Sequence, residues 1–222
     1  MLQTEPYLDQ TRAWPKQGRH VLAQFDADTV VVYQAYRPAI ARHVLTHGTF
    51  GGDFLYTRMS WIKTNFLWMM YRSGWGSKPD QEVTLAVRLR RAFFDSLLAA
   101  AVPSTWDRRL YATEADWSRA VGRSDVRLQW DPDHHPSGAK LERRAVQLGL
   151  RGEALDAYGR RELVEVIDLS AFVAGQREVL AAGGVAKLVT PRERVYTPAD
   201  PAVAARLGLG TPAAGSEHAG AE

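Results

Sequence analysis

The sequence predicts a single α+β domain, and three observations lead to this prediction. The 222 residues are enough for one domain, and 45% hydrophobic residues with 24% charged residues is the balance of an ordinary globular protein. β-branched and aromatic runs predict strands, and apolar residues at helical spacing predict helices. These elements mix without the strict alternation of a doubly wound α/β sheet, which favours the α+β class.

The clearest strand covers residues 29–36, which read Thr-Val-Val-Val-Tyr-Gln-Ala-Tyr and are rich in β-branched and aromatic side chains. Its apolar density predicts a central position in a sheet. Arg37-Pro38 ends the strand, because proline has no backbone N–H to donate to a ladder. Pro38 also suits the first turn of a helix, which we expect to continue to His47 with Gly48 as its C-terminal cap.

The remaining elements follow from similar patterns. Thr113 predicts the start of a helix over 113–121, because Asp116 follows three residues later in the manner of a capping box. We expect further strands at 82–89, from 125, at 145–150 and at 163–169, and further helices at 91–101, 152–158 and 172–182. Residues 1–28 predict an irregular N-terminal arm, residues 29–198 the domain, and the Ala-, Gly- and Pro-rich residues 199–222 a disordered tail.

The stretch 58–76 holds three of the seven tryptophans and three of the four methionines. Ile62, Phe66, Met69 and Met70 recur at helical spacing, which predicts an amphipathic helix ending at Gly74 with its apolar face in the core. A helix entrance favours an anionic ligand such as phosphate, because its backbone N–H groups are unpaired and its dipole is positive there. The polar residues expected at this entrance are Arg58, Ser60, Lys63, Thr64 and Asn65.

Composition excludes several classes of protein. The absence of cysteine excludes disulfides, thiolate metal sites and thiol nucleophiles. No apolar run approaches the ~18 residues of a membrane span and no signal pattern opens the chain, so the expected location is the cytoplasm, with no membrane partner. A net charge of +3 and a pI near 9.3 are compatible with a nucleotide or nucleic-acid partner without requiring one. Basic clusters at 88–91, 108–109 and 140–144 fit either phosphate contacts or solvated faces.

Several blocks of rarer residues together resemble one known family. They are Tyr-Gln-Ala-Tyr-Arg-Pro-Ala-Ile at 33–40, the stretch 58–76, Val-Arg-Leu-Gln-Trp-Asp-Pro-Asp-His at 126–134, and the segment 140–153. In this order, over roughly residues 29–176, they resemble the domain of unknown function 4291 family. That resemblance implies kinship without implying an activity.

The order of elements also resembles that of ADP-ribosyltransferases, which hold NAD in a cleft between two small sheets. The resemblance is one of fold. It implies small mixed or split antiparallel sheets flanked by helices, with NAD as cofactor. Arg37 would take the place of the nucleotide-anchoring residue, Ser60 that of the Ser/Thr after the second motif strand, and Glu142 that of the glutamate that steadies the oxocarbenium-like ribose. The chain departs from the pattern at Lys140, where the family's paired carboxylate or amide would stand.

The site hypothesis that results is a nucleotide cleft, with ADP-ribosyl transfer to nucleic acid or protein as the implied reaction. Cleavage of the nicotinamide–ribose bond develops positive charge on the sugar, which a carboxylate would stabilise while cations hold the pyrophosphate. The expected catalytic residue is Glu142. The expected cofactor-binding residues are Tyr33, Gln34, Tyr36, Arg37, Arg58, Ser60, Trp61, Lys63, Asn65 and Trp75, and the expected substrate-binding residues are Arg72, Gln129, Trp130, Asp131 and His134.

Other interpretations stay open at this point. Tryptophans interleaved with Lys63 and Arg72 fit a non-catalytic RNA- or DNA-binding module, although helical spacing turns Trp68 inward. The polar segment 131–135 fits a metal site less well than a hydrogen-bonded turn, and His43 and His47 lack an evident third ligand, so no metal is assigned. An interaction protein whose aromatic stretch is entirely core is the third possibility.

Overall fold

The structure, a computed structural model, describes residues 2–210. Its strands are β1 (Thr4–Pro6), β2 (Gly18–Arg19), β3 (Val21–Ala23), β4 (Thr29–Tyr36), β5 (Ser60–Lys63), β6 (Val83–Arg90), β7 (Val102–Pro103), β8 (Val126–His134), β9 (Lys140–Leu150), β10 (Leu163–Asp168), β11 (Val189–Pro191) and β12 (Arg194–Tyr196). Its helices are α1 (Tyr7–Ala13), α2 (Pro38–His47), α3 (Phe66–Ser73), α4 (Arg91–Ala100), α5 (Glu114–Arg123), α6 (Gly152–Arg160), α7 (Ser170–Ala181) and α8 (Pro201–Leu207). The predicted α+β class is confirmed.

A mixed sheet of eight strands runs through the molecule in the order β10-β6-β4-β5-β9-β8-β7, with β2 beside β9. Its pairs are antiparallel except β7–β8 and β2–β9, which are parallel. Two short antiparallel pairs, β1–β11 and β3–β12, lie outside this sheet. The prediction of mixed sheets is confirmed.

The large sheet is divided into two leaves that meet at one point. β4 pairs with β6 along its whole length from Thr29 to Tyr36, but it pairs with β5 only at Tyr33 and Lys63. The Gln34 side chain explains the separation, because its Nε2 donates to the carbonyl oxygen of Trp61 at 3.2 Å and so occupies a β5 backbone acceptor. We call β10, β6 and β4 the first leaf, and β5, β9, β8, β7 and β2 the second leaf.

Each face of the sheet is covered by a separate apolar core. On one face, residues such as Val32, Val87 and Leu148 pack with residues of α2, α4, α6 and α8. On the other face, Tyr33 and Val31 pack with α1, α3 and α7. The strands are therefore apolar on both sides over most of their length, as expected for a sheet between two layers of helices.

The sequence predicted several elements closely. β4 has the predicted bounds, and α2 begins at Pro38 and ends with Gly48 in the left-handed conformation at φ 72°. Thr113 caps α5 by accepting the backbone N–H of Asp116 at 3.1 Å. Local chemistry alone determines these boundaries.

The amphipathic helix predicted to end at Gly74 exists, but its predicted beginning before Ile62 is wrong. Residues 60–63 form β5, which pairs with β9, and the helix α3 begins only at Phe66, with Asn65 as its N-cap. Ile62 lies in the apolar core as a strand residue, so its spacing from Phe66 imitated a helix. The predicted end at Gly74 is confirmed, since Gly74 has φ 60° and closes α3.

Both ends of the chain are more ordered than the sequence predicted. Residues 2–28 contain β1, α1, β2 and β3, and Tyr7 and Trp14 are buried in the second core. At the other end, residues 201–207 form α8, whose Val203 and Leu207 enter the first core. The rest of the predicted tail, residues 211–222, lies outside the described residues.

Candidate functional site

A cavity of about 580 Å³ opens where the two leaves separate. It lies between the end of β4, the strand β5, the helix α3, the segment before β6, and the middle of β8 and β9. Its polar lining residues are Gln34, Ser60, Lys63, Arg72, Asp80, Gln81, Gln129 and Gln147, and its less polar ones are Ala35, Tyr36, Met59, Trp61, Trp68 and Met69.

Three neighbouring strands place polar side chains in one row on the cavity floor. Lys63 of β5 is opposite Gln147 of β9, and Gln147 is opposite Gln129 of β8. Opposite residues in an antiparallel ladder project to the same face of the sheet, so the three side chains lie side by side. This row, Lys63, Gln147 and Gln129, is the polar row below.

Asp131 fixes the two amides of the polar row. Its Oδ1 accepts from Nε2 of Gln129 at 2.8 Å, and its Oδ2 accepts from Nε2 of Gln147 at 2.7 Å. Each amide therefore turns its NH₂ group to Asp131. Within residues 2–210 the Oε1 atoms of both amides accept no hydrogen bond, so both are acceptors available to a ligand.

Lys63 is a buried cation without a carboxylate in contact. The residue is 5% exposed, and its Nζ lies 3.5 Å from the carbonyl oxygen of Trp61 and 5.0 Å from the ring centroid of Trp68. In the described part of the chain no carboxylate oxygen lies within 4.0 Å of this nitrogen. Burial and, after it, the charge of Arg72 lower the pKa of Lys63 to about 8, while Asp131 acts in the opposite direction.

Arg72 adds a second positive charge at the rim. It lies in the last turn of α3 and is exposed, and its Nη1 donates to Oε1 of Gln81 at 3.3 Å. A buried lysine and an arginine at the rim make the cavity positive, although Asp80 is also in the lining. Two cations facing one hollow are the arrangement that favours a bound anion.

The N-terminus of α3 is occupied by a carboxylate of the chain itself. Oε1 of Glu193 accepts the backbone N–H of Phe66 at 2.6 Å, and Oε2 accepts from Nδ2 of Asn65 at 3.3 Å. Asn65 in turn caps the helix by accepting the N–H of Trp68 at 2.7 Å. The predicted anion site at this entrance is therefore filled by the carboxyl group of Glu193.

Burial controls the ionisation of Glu193. The side chain lies in the interior, and this desolvation raises the pKa of Glu193 well above the usual value, while the bond from Phe66 opposes the rise. The carboxyl group of Glu193 thus lies against the N-terminus of α3 in the protein interior. This contact holds α3 in position, and with it Arg72.

The wall on the first leaf is a hydrogen-bonded chain of side chains. Tyr158 donates to Oε1 of Gln34, whose Nε2 donates to Oγ of Ser60 at 2.8 Å. The Tyr36 hydroxyl lies 3.1 Å from the same Oγ, and burial raises the pKa of Tyr36. This network fixes the direction of Ser60 at the cavity surface.

The structure brings together seven of the residues predicted for the site. They are Gln34, Tyr36, Ser60, Trp61, Lys63, Arg72 and Gln129. Asp131 supports the polar row from below without lining the cavity itself. The two cations in the lining, Lys63 and Arg72, both come from the stretch 58–76.

Five other predicted residues lie elsewhere in the molecule. Tyr33 and Asn65 are buried beneath the site, against Phe66 and Glu193. Trp75 lines a different cavity beyond the end of α3, and Trp130 lines one next to Arg206. His134 is buried and stacked on Tyr71 with ring centroids 3.6 Å apart. None of them is among the residues that line the cavity next to the polar row.

Of the three residues that carry the ADP-ribosyltransferase resemblance, Ser60 lines the cavity, whereas Arg37 and Glu142 do not, and the predicted cofactor-binding residue Arg58 is also outside the lining. Arg37 is exposed and paired with Asp53 at 2.9 Å, and Arg58 is exposed in the loop before β5. Glu142 is exposed on β9 and, by strand alternation, faces away from Gln147. The expected anchoring and catalytic roles of these side chains thus have no counterpart in this cavity.

Sequence reasoning missed two residues that matter to the site. Gln147 was hidden in an apolar run, where a lone amide in a buried strand was the available signal. Glu193 follows Phe66 by 127 positions and no local pattern connects them. The former is a ligand-facing residue and the latter positions α3.

Four of the eight residues in the basic clusters, Arg88, Arg90, Arg109 and Arg143, are paired with carboxylates. Arg88 pairs with Asp26 and Glu165, and buried Arg143 pairs with Asp133. Arg90 and Arg109 are likewise paired, with Glu162 and Asp107. These contacts are those of a structural ion-pair network, and they favour the solvated-face interpretation over a nucleic-acid surface.

Two further classes of site are absent from residues 2–210. No group of three or more His, Asp or Glu side chains there is arranged to hold a metal ion. The rings of His43 and His47 stack on each other with their centroids 4.2 Å apart. None of the helices in this part of the chain is both long and apolar enough to cross a bilayer.

Comparison with protein families places the chain in one of them. The sequence profile of a domain of unknown function, DUF4291, matches residues 20–196. The chain belongs to the DUF4291 family. Every residue that lines the cavity lies inside the DUF4291 match, as does Glu193. A search of curated proteins found no match.

Proposed function

We propose that this DUF4291 domain binds a phosphorylated small molecule of the nucleotide class in the cavity between its leaves. The observation that carries the proposal is Lys63, a buried ammonium that lines the cavity and has no carboxylate within contact distance in residues 2–210. A buried charge is costly unless it is paired, so an unpaired one facing a hollow implies a partner of opposite sign.

Phosphate is the anion that suits this geometry best. Lys63 presents a compact point charge from the floor, and Arg72 presents a planar fork from the rim. A group with several anionic oxygens can contact both cations at once, which a single halide cannot do. Asp131 does not compete with it, since both carboxylate oxygens of Asp131 are bound to amides.

The remainder of the cavity suits an organic body attached to the phosphate. A volume of about 580 Å³ lies within the ~300–1,000 Å³ range of small-molecule sites. Trp61, Trp68 and Met59 supply aromatic and polarisable surface, and the Oε1 atoms of Gln129 and Gln147 accept N–H groups such as those of a base or a carboxamide. Phosphate, apolar ring and amide N–H together describe a nucleotide.

NAD is the member of this class to test first, because the fold-level resemblance implies it. The same resemblance implies ADP-ribosyl transfer through Glu142, yet this side chain is exposed outside the cavity lining. Release of nicotinamide from NAD would extend the proposal to that reaction. Binding of NAD without nicotinamide release would restrict it to nucleotide binding.

The first prediction concerns affinity. Titration calorimetry with inorganic phosphate, ADP, ATP and NAD is expected to detect binding that Lys63→Met and Arg72→Gln each weaken by about 10- to 100-fold, since a charge-assisted hydrogen bond contributes about 1.5–3 kcal/mol. Arg37→Gln is the matched control, because it removes an arginine that is exposed and outside the cavity. Absence of binding for all four compounds, or equal losses in the control, would contradict the proposal.

A further inference from the structure

Lys63 has the surroundings of a reactive amine, not only of an anion-binding group. A lysine becomes a nucleophile when it is desolvated or placed beside another cation, because both favour its neutral form. Here both conditions hold: the residue is 5% exposed, and Arg72 is the nearest cationic influence on it. No described carboxylate contacts its nitrogen to keep it protonated.

We infer that Lys63 forms an imine with a phosphorylated aldehyde bound in the cavity. The inference rests on the proposed function, since it uses the same cavity and the same two cations. In this complex Arg72 alone holds the phosphate, and Nζ of Lys63, which contacts the phosphate in the proposed nucleotide complex, meets the carbonyl carbon instead. This assignment of the phosphate and the carbonyl carbon follows from where the two residues lie, because Arg72 is at the exposed rim of the cavity and Lys63 is on its floor. It also keeps the phosphate from raising the proton affinity of the amine.

The chemical step balances without any further reactant. The lone pair of the neutral Nζ attacks the carbonyl carbon, and the π electrons move to oxygen, which takes up a proton. The carbinolamine then loses its hydroxyl group and one proton from nitrogen as water, which leaves a C=N bond to Lys63. Asp131, which holds the amides of Gln129 and Gln147 in the row beside Lys63, is a fixed negative charge near the iminium that forms.

The groups that face Lys63 set the pH range of this step. Arg72 of α3 and burial lower the pKa of Lys63 to about 8, Asp131 of β8 opposes them, and the Trp68 ring faces the nitrogen without titrating. At pH 7 about a tenth of the Lys63 amines are then neutral, against about 0.03% for a lysine with the ordinary pKa of 10.5. The reaction is expected to accelerate up to about pH 8 and then level off.

The chain is well suited to a direct test, because it has five lysines and the other four, Lys16, Lys78, Lys140 and Lys187, are exposed. The probe is pyridoxal 5′-phosphate at micromolar concentration, an aldehyde with a phosphate group, followed by borohydride reduction and peptide mass spectrometry. Lys63 is expected to be modified at least tenfold faster than any exposed lysine at pH 7. Inorganic phosphate in excess is expected to slow this modification, and Arg72→Gln to slow it at least fivefold.

Two controls separate this inference from the proposed function. Lys63→Arg removes the primary amine and is expected to lose the adduct, whereas Lys187→Arg, which changes an exposed lysine outside the cavity, is expected to keep both phosphate binding and the adduct at Lys63. If the wild-type protein binds phosphate or ADP but Lys63 is modified no faster than the four exposed lysines, the inference is overturned and the proposed function stands. If neither binding nor selective modification is found, both are overturned.

Discussion

Lys63 is the residue at which folding and function conflict. A charged amine held in the interior without a counter-ion destabilises the folded state, and it persists only where it serves another purpose. The pKa of Lys63 falls from 10.5 to about 8, which corresponds to a destabilisation on the order of 3 kcal/mol below pH 8. Loss of this charge should therefore stabilise the protein while it removes ligand binding.

The second prediction tests this conflict. Lys63→Met is expected to raise the free energy of unfolding at pH 7 by about 1–3 kcal/mol, because an apolar chain of similar length replaces a buried charge. Between pH 8 and 10.5 the unfolded wild-type chain binds more protons at this position than the folded one, so its stability rises with pH and the advantage of the variant shrinks. Urea unfolding at several pH values measures both effects. An advantage that is absent at pH 7, or grows with pH, would show that the Lys63 ammonium is well solvated.

Glu193 is the second residue whose protonation is linked to stability. Burial raises the pKa of Glu193 above its usual 4.5, so the folded state binds a proton that the unfolded state releases. The contribution of protonated Glu193 to the free energy of unfolding is then complete below about pH 4.5, and it is lost as the pH rises through the raised pKa of Glu193.

The third prediction follows from this direction of the pH dependence of stability. Glu193→Gln is expected to become progressively more stable relative to wild type as the pH rises from about 4.5 through the raised pKa of Glu193, because the amide cannot ionise. The exposed Glu178→Gln on α7 is the matched control and should change little over the same range. Parallel pH profiles of Glu193→Gln and wild type would mean that Glu193 is ionised in the native protein throughout.

At the level of elements, the contact between β5 and β9 shapes the cavity wall. Trp61 is opposite Gly149, and a Cβ at that glycine would lie 2.6 Å from Sδ of Met59 and 3.0 Å from two ring atoms of Trp61. The glycine thus provides the space in which both side chains lie against the strand, next to the polar row.

The fourth prediction is that Gly149→Ala displaces this wall. We expect a loss of about 1 kcal/mol in stability from overpacking, and weaker ligand binding because Met59 and Trp61 shift toward the cavity. Gly122→Ala in α5 is the opposite control: a Cβ added there would meet no neighbouring atom within 4 Å, and alanine favours a helix by about 0.5–1 kcal/mol. Thermal unfolding and calorimetry of both variants check the pair, and equal behaviour would contradict the assigned role of Gly149.

Elements with local signals could be predicted from the sequence, and those defined by tertiary pairing could not. Pro38, Gly48 and Thr113 marked helix ends correctly because the reason for each lies within a few residues. β5 was missed because four residues, paired across to β9, decide its conformation, and Ile62 happened to match the helical spacing of α3. A strand this short has little periodicity of its own to detect.

At the level of the whole molecule, the split sheet determines which residues can meet. Lys63, Gln129 and Gln147 converge because three strands align them, a fact of register that one sequence does not contain. The composition of the site was partly predictable, since seven expected residues line the cavity. The direction in which each side chain points was not predictable. Arg37 follows β4 as predicted, yet its side chain pairs with Asp53 on the surface.

Residues at the start of the chain hold Glu193, and through it the N-terminus of α3, in place. Oε1 of Gln10 accepts the backbone N–H of Glu193 at 2.8 Å, and Nε1 of Trp14 donates to the carbonyl oxygen of Glu193 at 2.9 Å. Both anchors precede residue 20, where the DUF4291 match begins. Trimming the protein to its family boundaries for expression would therefore cut the tether of α3, and a shortened version that fails to bind ligand would say nothing about the pocket itself.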